Sequence, residues 1–334
     1  MSHMARESAQ APEAVARFLE RNNAQLIELG KRLRMSPPHI ILTSARGSSD
    51  NAAGYFKYVT EIQTGIPCCS IGASVVSVYG AKLKVKDGLC LTISQSGKSP
   101  DIVALQEAAR KSGALTVALV NVEGSPAATS ADICLPLYAG PEQSVAATKS
   151  LIVSLVAGAA IVAHWLKQAE LLNAVSRLPD VLAKAAKIAW PEAIDLAVGN
   201  DQLYVLGRGP ALPIAAETAL KLKETCAIHA EAYSIAEVMH GPLELLGRDF
   251  PVLVYAPDDQ SNATTQVALH KMRATGAKVL TVGGDGLHYA KSDHPLLDTI
   301  SMIQTSYGFI EATSLALGRN PDHPRLLKKV TETV

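Results

Sequence analysis

The sequence has no excess of charge of either sign, because its 334 residues contain 31 Lys and Arg against 31 Asp and Glu. A balanced chain has no overall field that would recruit nucleic acid or an anionic membrane surface, so any anion site must be local. Its five cysteines form no C-x-x-C pair, and Cys68 and Cys69 are adjacent, which is a poor geometry for a mutual bridge. We therefore interpret them as reduced thiols and expect a cytoplasmic protein.

The sequence also lacks an apolar run that could span a bilayer or form the core of a signal peptide. The longest nearly apolar run covers residues 151–165 and is too short for a transmembrane helix, so we expect a buried core helix there and no membrane partner. Residues 1–4 look like an expression-tag remnant. Residues 11–35 carry apolar positions at helical spacing, which predicts an amphipathic leading helix.

A buried strand followed by a polar turn organises the first half of the chain. Residues 89–93 are mostly apolar and too few for a stable helix, so they predict a strand buried on both faces. The small polar residues at 94–97 follow, and Ser99 with Pro100 marks the start of a helix. Such a turn presents N–H groups, hydroxyls and the positive end of a helix dipole, which favours phosphate or another small anion.

The order of strand, glycine-containing turn and helix recurs along the chain, which predicts a mostly parallel sheet with helices on both faces. The Arg-Gly pair at Arg46 returns 162 residues later at Arg208, and the Gly-Ala pair at Gly113 returns 163 residues later at Gly276. Two landmarks with nearly the same spacing indicate an internal duplication.

The duplication predicts the limits of the domains. They are 1–37 for the tag remnant and leading helix, 38–165 for the first domain, 166–195 for a helical connector, 196–312 for the second domain and 313–334 for a C-terminal tail. Within the connector we expect a helical segment over residues 178–190 that ends at Pro191.

The two copies differ where the anion would bind. The second copy has Ala-Pro-Asp-Asp at 256–259 in place of the turn at 94–97, and its carboxylates would repel a phosphate, so only the first copy should bind one. Residues 44–49 form another serine-rich turn after a strand, and the carboxyl ends of parallel strands line the ligand crevice of an open sheet. Taken singly, each cluster is more commonly an ordinary turn.

In the second copy, Glu217, Lys221 and Glu224 occur at i, i+4 and i+7 and share one helical face. The commoner explanation is a solvated face with ion pairs, whereas a functional interpretation needs Glu224 to face the crevice as a base. His240 lies in a predicted loop, and a lone histidine is usually structural.

Six strings in order resemble the paired sugar isomerase (SIS) domains of the glucosamine-6-phosphate synthase family, and the likeness covers nearly all of residues 39–331. The resemblance implies an α/β fold of two tandem SIS domains, each a three-layer αβα sandwich with a mostly parallel, flavodoxin-like sheet. The strings are S-Q-S-G at 94–97, V-A-A-T-K at 145–149, A-L-K-L-K-E at 219–224, I-H-A-E at 228–231, H-G-P at 240–242 and D-H-P-R at 322–325, the last followed by Leu327 and Lys329.

The synthase family also carries an N-terminal glutaminase domain whose cysteine releases ammonia from glutamine. Here only about 38 residues precede the first predicted SIS strand, and none of them is cysteine. The chain therefore resembles the SIS-type glucosamine-6-phosphate deaminases, which form fructose 6-phosphate and ammonia without glutamine.

The resemblance implies a role for each matching residue: Glu224 beside Lys221 as the proton shuttle, His240 in ring opening, and Lys329 at the sugar carbonyl. This chemistry needs an open-chain sugar and a base that moves a proton between C1 and C2. It requires no metal, and we expect no cofactor. The implied phosphate-binding residues are Ser48, Ser49, Ser94, Gln95, Ser96 and Ser99, and the implied sugar-binding residues are Gly47, Val145 and Ala147.

Three positions depart from the synthase pattern. Arg46 replaces a cysteine, Ala147 replaces a serine and Lys98 replaces an acid. The alanine removes a hydroxyl from the sugar pocket, which leaves the identity of the sugar open, whereas the two cations favour phosphate binding.

We therefore predict a cytoplasmic hydrolase and isomerase of amino sugar metabolism that converts glucosamine 6-phosphate to fructose 6-phosphate and ammonia. By the same resemblance it is a homodimer with composite active sites, in which His240 comes from the neighbouring subunit. The alternatives are a fructosamine-6-phosphate deglycase and a non-catalytic phosphosugar-sensing SIS protein. The joint presence of Glu224, His240 and Lys329, and the lack of a basic DNA-reading segment, favour the enzyme.

Overall fold

The computed structural model of the protein describes residues 1–329, which divide into two compact units. Unit A comprises Glu13–Glu142 and Lys149–Ser176, and unit B comprises Met1–Pro12, Gln143–Thr148 and Arg177–Lys329. The end of the predicted tail, residues 330–334, lies outside the described part of the chain.

The helices and strands alternate along both units. In chain order they are α1 (His3–Ala9), α2 (Ala11–Met35), β1 (Ile41–Ser44), α3 (Ser48–Thr64), β2 (Cys68–Ser70), α4 (Ser74–Ser77), β3 (Leu89–Ser94), α5 (Pro100–Lys111), β4 (Leu115–Val120), α6 (Pro126–Ser130), β5 (Ile133–Pro136), α7 (Lys149–Leu166), α8 (Ala169–Ser176), α9 (Leu178–Ala185), α10 (Pro191–Ala197), β6 (Gln202–Gly207), α11 (Ala211–Lys221), a π-helix (Leu222–Cys226), β7 (His229–Ser234), α12 (Ile235–Val238), a 3-10 helix (Pro242–Leu245), β8 (Pro251–Tyr255), α13 (Asn262–Ala274), β9 (Lys278–Val282) and α14 (Pro295–Ala316).

Unit A is built on a five-stranded sheet in the order β2-β1-β3-β4-β5, and every neighbouring pair is parallel. All residues of β1 and β3 are buried, which explains why these strands read as continuous apolar runs rather than alternating ones. The order 2-1-3-4-5 is that of flavodoxin-like sheets, whose ligand crevice lies at the β1/β3 switch point.

Unit B contains a four-stranded sheet in the order β7-β6-β8-β9, again with every pair parallel. Tyr255 at the end of β8 is fully buried, and its hydroxyl lies 2.6 Å from the Thr218 hydroxyl of α11 and 2.5 Å from the Ser306 hydroxyl of α14. Burial raises the pKa of Tyr255 to about 12, so the phenol stays protonated and links the sheet to both helices. The predicted α/β fold with mostly parallel sheets is confirmed.

One local prediction differs from the structure. Pro191 begins α10 instead of ending a helix, because proline fits the first helical position, where its missing N–H would have no partner. The interpretation of residues 1–4 as a tag remnant stays a prediction. In the structure these residues pack against the rest of unit B: the Ser2 hydroxyl accepts the N–H of Ala5 at 3.0 Å and caps α1, and Met4 is fully buried.

The apolar run predicted as a core helix is α7. Among the described helices it alone is long and apolar enough to cross a membrane, and 89% of its apolar window is buried inside the protein. This burial is that of a core helix, as the sequence predicted.

Candidate active site

The polar turn after β3 is shaped by its own hydrogen bonds. The Ser94 hydroxyl accepts the N–H of Gly97 at 3.0 Å, and the Ser96 hydroxyl accepts the N–H of Lys98 at 3.3 Å. Gly97 has a φ of +64°, and a Cβ there would lie 2.1 Å from the Ser125 hydroxyl oxygen. Both the backbone conformation and the lack of space therefore require glycine at this position.

The second serine-rich turn follows β1, which pairs directly with β3 in parallel register. Gly47, with a φ of +55°, precedes the first turn of α3, just as Ser99 precedes the first turn of α5. Because β1 and β3 are parallel neighbours, both helix N-termini lie at the same edge of the sheet, where N–H groups and dipoles favour an anion. The predicted residues brought to this edge are Gly47, Ser48, Ser49, Ser94, Gln95, Ser96 and Ser99.

Arg46, in the turn after β1, pairs with Asp101 in the first turn of α5. Its guanidinium donates to the Asp101 carboxylate, with Nη2 at 2.6 Å and Nε at 3.1 Å from Oδ2. The Asp101 side chain is 1% exposed whereas that of Arg46 is 53% exposed, so a buried acid orients a cation that still reaches solvent. This places a positive charge beside the two helix N-termini.

In unit B, Lys221 ends α11 and is buried between two carboxylates. Its Nζ lies 2.5 Å from Glu224 Oε2 and 3.5 Å from Glu217 Oε1. The side chains of Lys221 and Glu217 are 1% and 0% exposed, so the solvated-face explanation of their spacing is wrong. Glu224 is 21% exposed, which makes it the one carboxylate of this cluster that solvent or a ligand can reach.

The π-helix that carries Glu224 was not foreseen from the sequence. Periodicity predicts an α-helix through Glu224, but the chain widens after Lys221, and Ala227 closes the turn with a φ of +54°. The Thr225 hydroxyl donates to the Lys221 carbonyl at 2.8 Å, and the Ser314 hydroxyl of α14 donates to the Thr225 carbonyl at 2.9 Å. Single π turns inside helices occur frequently at functional sites.

Cys226, the last residue of the π-helix, does not add a nucleophile to this cluster. Its side chain is buried, and burial raises the pKa of the thiol to about 11, so the thiolate that would react is not formed at neutral pH.

His240 is exposed in a turn after α12, and its N–H donates to the Glu237 carbonyl at 3.0 Å. Its side chain makes no hydrogen bond or ion pair with Glu224, Lys221 or Lys329 in the described part of the chain. An exposed imidazole is not a core histidine, which removes the commonest structural explanation for it.

Lys329 and two of the predicted sugar-binding residues, Val145 and Ala147, belong to unit B. The Lys329 ammonium donates to the Ser144 carbonyl at 2.6 Å, directly before Val145. The N–H of Val145 donates to the carbonyl of Asp322 at 3.3 Å, and both Val145 and Ala147 are half-buried. The segment Gln143–Thr148, called the sugar loop below, is thus bonded to the tail of the chain.

Sequence reasoning missed Glu7, whose carboxylate accepts the N–H groups of Gln143 and Ser144 at 2.5 and 3.2 Å. The contact joins residues more than 130 positions apart and leaves no local pattern, so no sequence signal could have revealed it.

The predicted site residues divide between the units: the phosphate-binding set and Gly47 belong to unit A, and Glu224, His240, Lys329, Lys221, Val145 and Ala147 belong to unit B.

Comparison with known proteins gives two kinds of match. A profile of the SIS domain matches residues 35–164 and 197–317, which is more than half of the chain. A glutamine–fructose-6-phosphate aminotransferase (isomerizing) from Pseudomonas aeruginosa is 34% identical over 311 residues, an alignment that covers 85% of this chain and 50% of the relative. The chain spans about half the length of the curated relatives it matches.

Solved structures give a corresponding result. A protein from Silicibacter pomeroyi, described as a candidate phosphosugar isomerase, is 41% identical with a TM-score of 0.93, covering 96% of this chain and 100% of that one. A glucosamine-6-phosphate deaminase from Thermotoga maritima has a TM-score of 0.77 at 20% identity, covering 99% and 100% of the two chains. At that identity the second match shows a shared fold.

We predict that Lys221→Met destabilises the protein by about 3–5 kcal/mol, because it leaves the carboxylates of Glu217 and Glu224 without the buried charge that compensates them. Lys223→Met is the matched control: Lys223 is exposed, and its Nζ loses one hydrogen bond, 2.9 Å long, to the Ala230 carbonyl, at a cost of about 1 kcal/mol. Urea unfolding of both variants measures the difference. Equal losses would contradict the assignment of Lys221 as the charge that holds this cluster together.

Proposed function

The chain belongs to the SIS domain family, as the resemblance predicted, and on that premise we propose that it is a phosphosugar isomerase that converts glucosamine 6-phosphate to fructose 6-phosphate and ammonia. The observation that carries this proposal is the partly exposed Glu224 carboxylate held 2.5 Å from a fully buried lysine. A base fixed by a charged partner in an accessible position is what proton transfer at a sugar carbon requires.

The phosphate group of the substrate is assigned to the serine-rich edge of unit A. Two helix N-termini and the Ser94 and Ser96 turn support this assignment, because they supply N–H donors and hydroxyls. Arg46 adds a cation that Asp101 orients. The equivalent turn of unit B has the Asp258 carboxylate instead of a serine hydroxyl, which is less favourable to a phosphate, although Lys291 lies 3.2 Å from it.

The reaction is assigned to the residues of unit B, as the resemblance implies. His240 opens the ring by moving a proton between the hemiacetal hydroxyl and the ring oxygen. Glu224 takes the proton from C2 of the open-chain aminoaldose and returns it to C1, so that an enolamine becomes a 2-imine. Water then adds to C2, the C–N bond breaks, and fructose 6-phosphate and ammonia leave. Lys329 stabilises negative charge on the sugar oxygen and closes the site against bulk water.

We propose that this reaction uses the amino-sugar phosphate directly and needs no glutamine. One specific observation favours a second candidate, a fructosamine-6-phosphate deglycase: Ala147 replaces a serine in the sugar loop and would leave room for a larger group on the sugar. A phosphosugar sensor remains the third candidate, but it would not need a carboxylate and a lysine ammonium held 2.5 Å apart.

Ammonia release tests the proposal. Purified protein with glucosamine 6-phosphate and no glutamine should release ammonia and fructose 6-phosphate, and Glu224→Gln should reduce the rate by about 100-fold or more while it still binds the sugar phosphate. Glu237→Gln, at an exposed position on α12, is the matched control and should retain full activity. Turnover only of a fructosamine 6-phosphate would identify the deglycase, and tight phosphosugar binding without turnover would identify the sensor.

The homodimer is part of the same proposal, since His240 is exposed and has no catalytic partner in the described chain. If each site takes its histidine from the neighbouring subunit, a mixture of Glu224→Gln and His240→Ala chains contains hybrid dimers with one intact site. Activity should therefore return towards about a quarter of the wild-type value after subunits exchange. If mass spectrometry demonstrates subunit exchange and the mixture still remains inactive, that result would contradict shared sites.

We also propose a cytoplasmic location, because the proposed substrate is a phosphorylated metabolite.

A further inference from the structure

Three segments that are far apart in sequence meet in unit B: helix α1, the sugar loop, and the tail at residues 320–329. α1 contributes Glu7, whose side chain is 4% exposed. The tail contributes Asp322 and Lys329. The sugar loop lies between these partners and is hydrogen-bonded to both.

The Glu7 carboxylate holds the loop from one side. Its two oxygens accept the N–H groups of Gln143 at 2.5 Å and Ser144 at 3.2 Å. The carboxylate offers a separate oxygen to each of the two adjacent backbone donors, whereas a neutral amide side chain has one oxygen for both. The charge also strengthens each bond relative to a neutral acceptor.

The tail holds the same loop through the next peptide group. The carbonyl of Ser144 accepts from the Lys329 ammonium at 2.6 Å, and the N–H of Val145 donates to the Asp322 carbonyl at 3.3 Å. Three consecutive backbone N–H groups of the loop are therefore used, two by Glu7 and one by the tail. Lys329 is therefore hydrogen-bonded to the Ser144 carbonyl, and the N–H of Ser144 is hydrogen-bonded to Glu7.

Helix α1 is itself fixed, so Glu7 projects from a stable support. The N–H groups of His3 and Met4 each donate to the Asp322 carboxylate at 2.7 Å. At the other end of the helix, the Gln304 side chain donates to the Ser8 carbonyl at 3.0 Å. The first turn also bonds to α14, because the Ser2 hydroxyl donates to Glu311 at 2.9 Å.

We infer that Glu7 is a positioning residue for the reaction: it fixes the sugar loop, and through the Ser144 carbonyl it sets where the Lys329 ammonium meets the sugar. This inference rests on the proposed function. A change at Glu7 therefore lowers the rate of the chemical step, and it leaves the affinity for the phosphate group, which is assigned to unit A, nearly unchanged.

Glu7→Gln tests this role, with Glu7→Asp as the conservative variant and Glu311→Gln as the matched control. Glu311 accepts a hydrogen bond from Ser2 of the same helix region, has no hydrogen bond or ion pair to the sugar loop within residues 1–329, and as glutamine keeps an oxygen acceptor for the Ser2 hydroxyl. We expect Glu7→Gln to lower kcat by about tenfold and to change KM by less than about twofold. Glu7→Asp keeps both oxygens and should recover part of the loss, and Glu311→Gln should behave as wild type.

Hydrogen exchange of a peptide that covers residues 143–148 gives a readout that is independent of activity. Glu7→Gln should speed exchange of the Gln143 and Ser144 amides by about tenfold relative to Glu311→Gln, because the two amides then have one uncharged oxygen acceptor in place of two charged ones. In a double variant with Lys329→Met, the two effects on kcat should not add, since both act through Ser144.

The outcomes separate this role from a purely structural one. Unchanged exchange in Glu7→Gln, or faster exchange with kcat equal to that of Glu311→Gln, would overturn the inference. If the wild-type protein turns over no sugar phosphate, the proposed function fails, and Glu7 then loses its role in a reaction even where the exchange result shows that it holds the loop.

Discussion

A buried lysine ammonium is stable only where carboxylates compensate its charge, and the part of unit B to which we assign the reaction depends on that constraint. Lys221 satisfies it with Glu217, which is fully buried, and with Glu224, which is partly exposed. The fold keeps this arrangement in place through Tyr255, whose hydroxyl bonds α11 and α14 at once. The same lysine therefore stabilises the interior and holds an accessible base in one position.

The two copies of the duplicated unit differ at one equivalent turn. Both units have parallel sheets with a turn and helix after each strand, yet the copies differ in charge at the equivalent turn. In unit A the turn after β3 carries serines and Gly97, whereas in unit B the Asp258 carboxylate occupies the corresponding position and pairs with Lys291. Under the proposed function, anion binding belongs to the copy without carboxylates in this turn and proton transfer belongs to the other copy.

The sequence was sufficient for the parts of the structure that local patterns control. The strand at 89–93, the core helix α7, the two parallel sheets and the serine-rich edge were all predicted from apolar runs, glycines and repeat spacing. The π-helix was missed because a period of 3.6 residues was assumed through Glu224, and burial of Glu217 and Lys221 was missed because charge spacing alone cannot tell a solvated face from a compensated interior. Glu7 was missed because its partners lie far along the chain.

The central claim is that Glu224 transfers the proton between C1 and C2, and the most direct measurement of it is deuterium incorporation. In D2O the proton that Glu224 takes from C2 exchanges with solvent deuterium before delivery to C1, so NMR of the fructose 6-phosphate formed by the wild-type protein should show deuterium at C1. Glu224→Gln should form no labelled product although calorimetry still detects binding of the sugar phosphate. Incorporation by Glu224→Gln at the wild-type rate would contradict the account, because another group would then carry the proton.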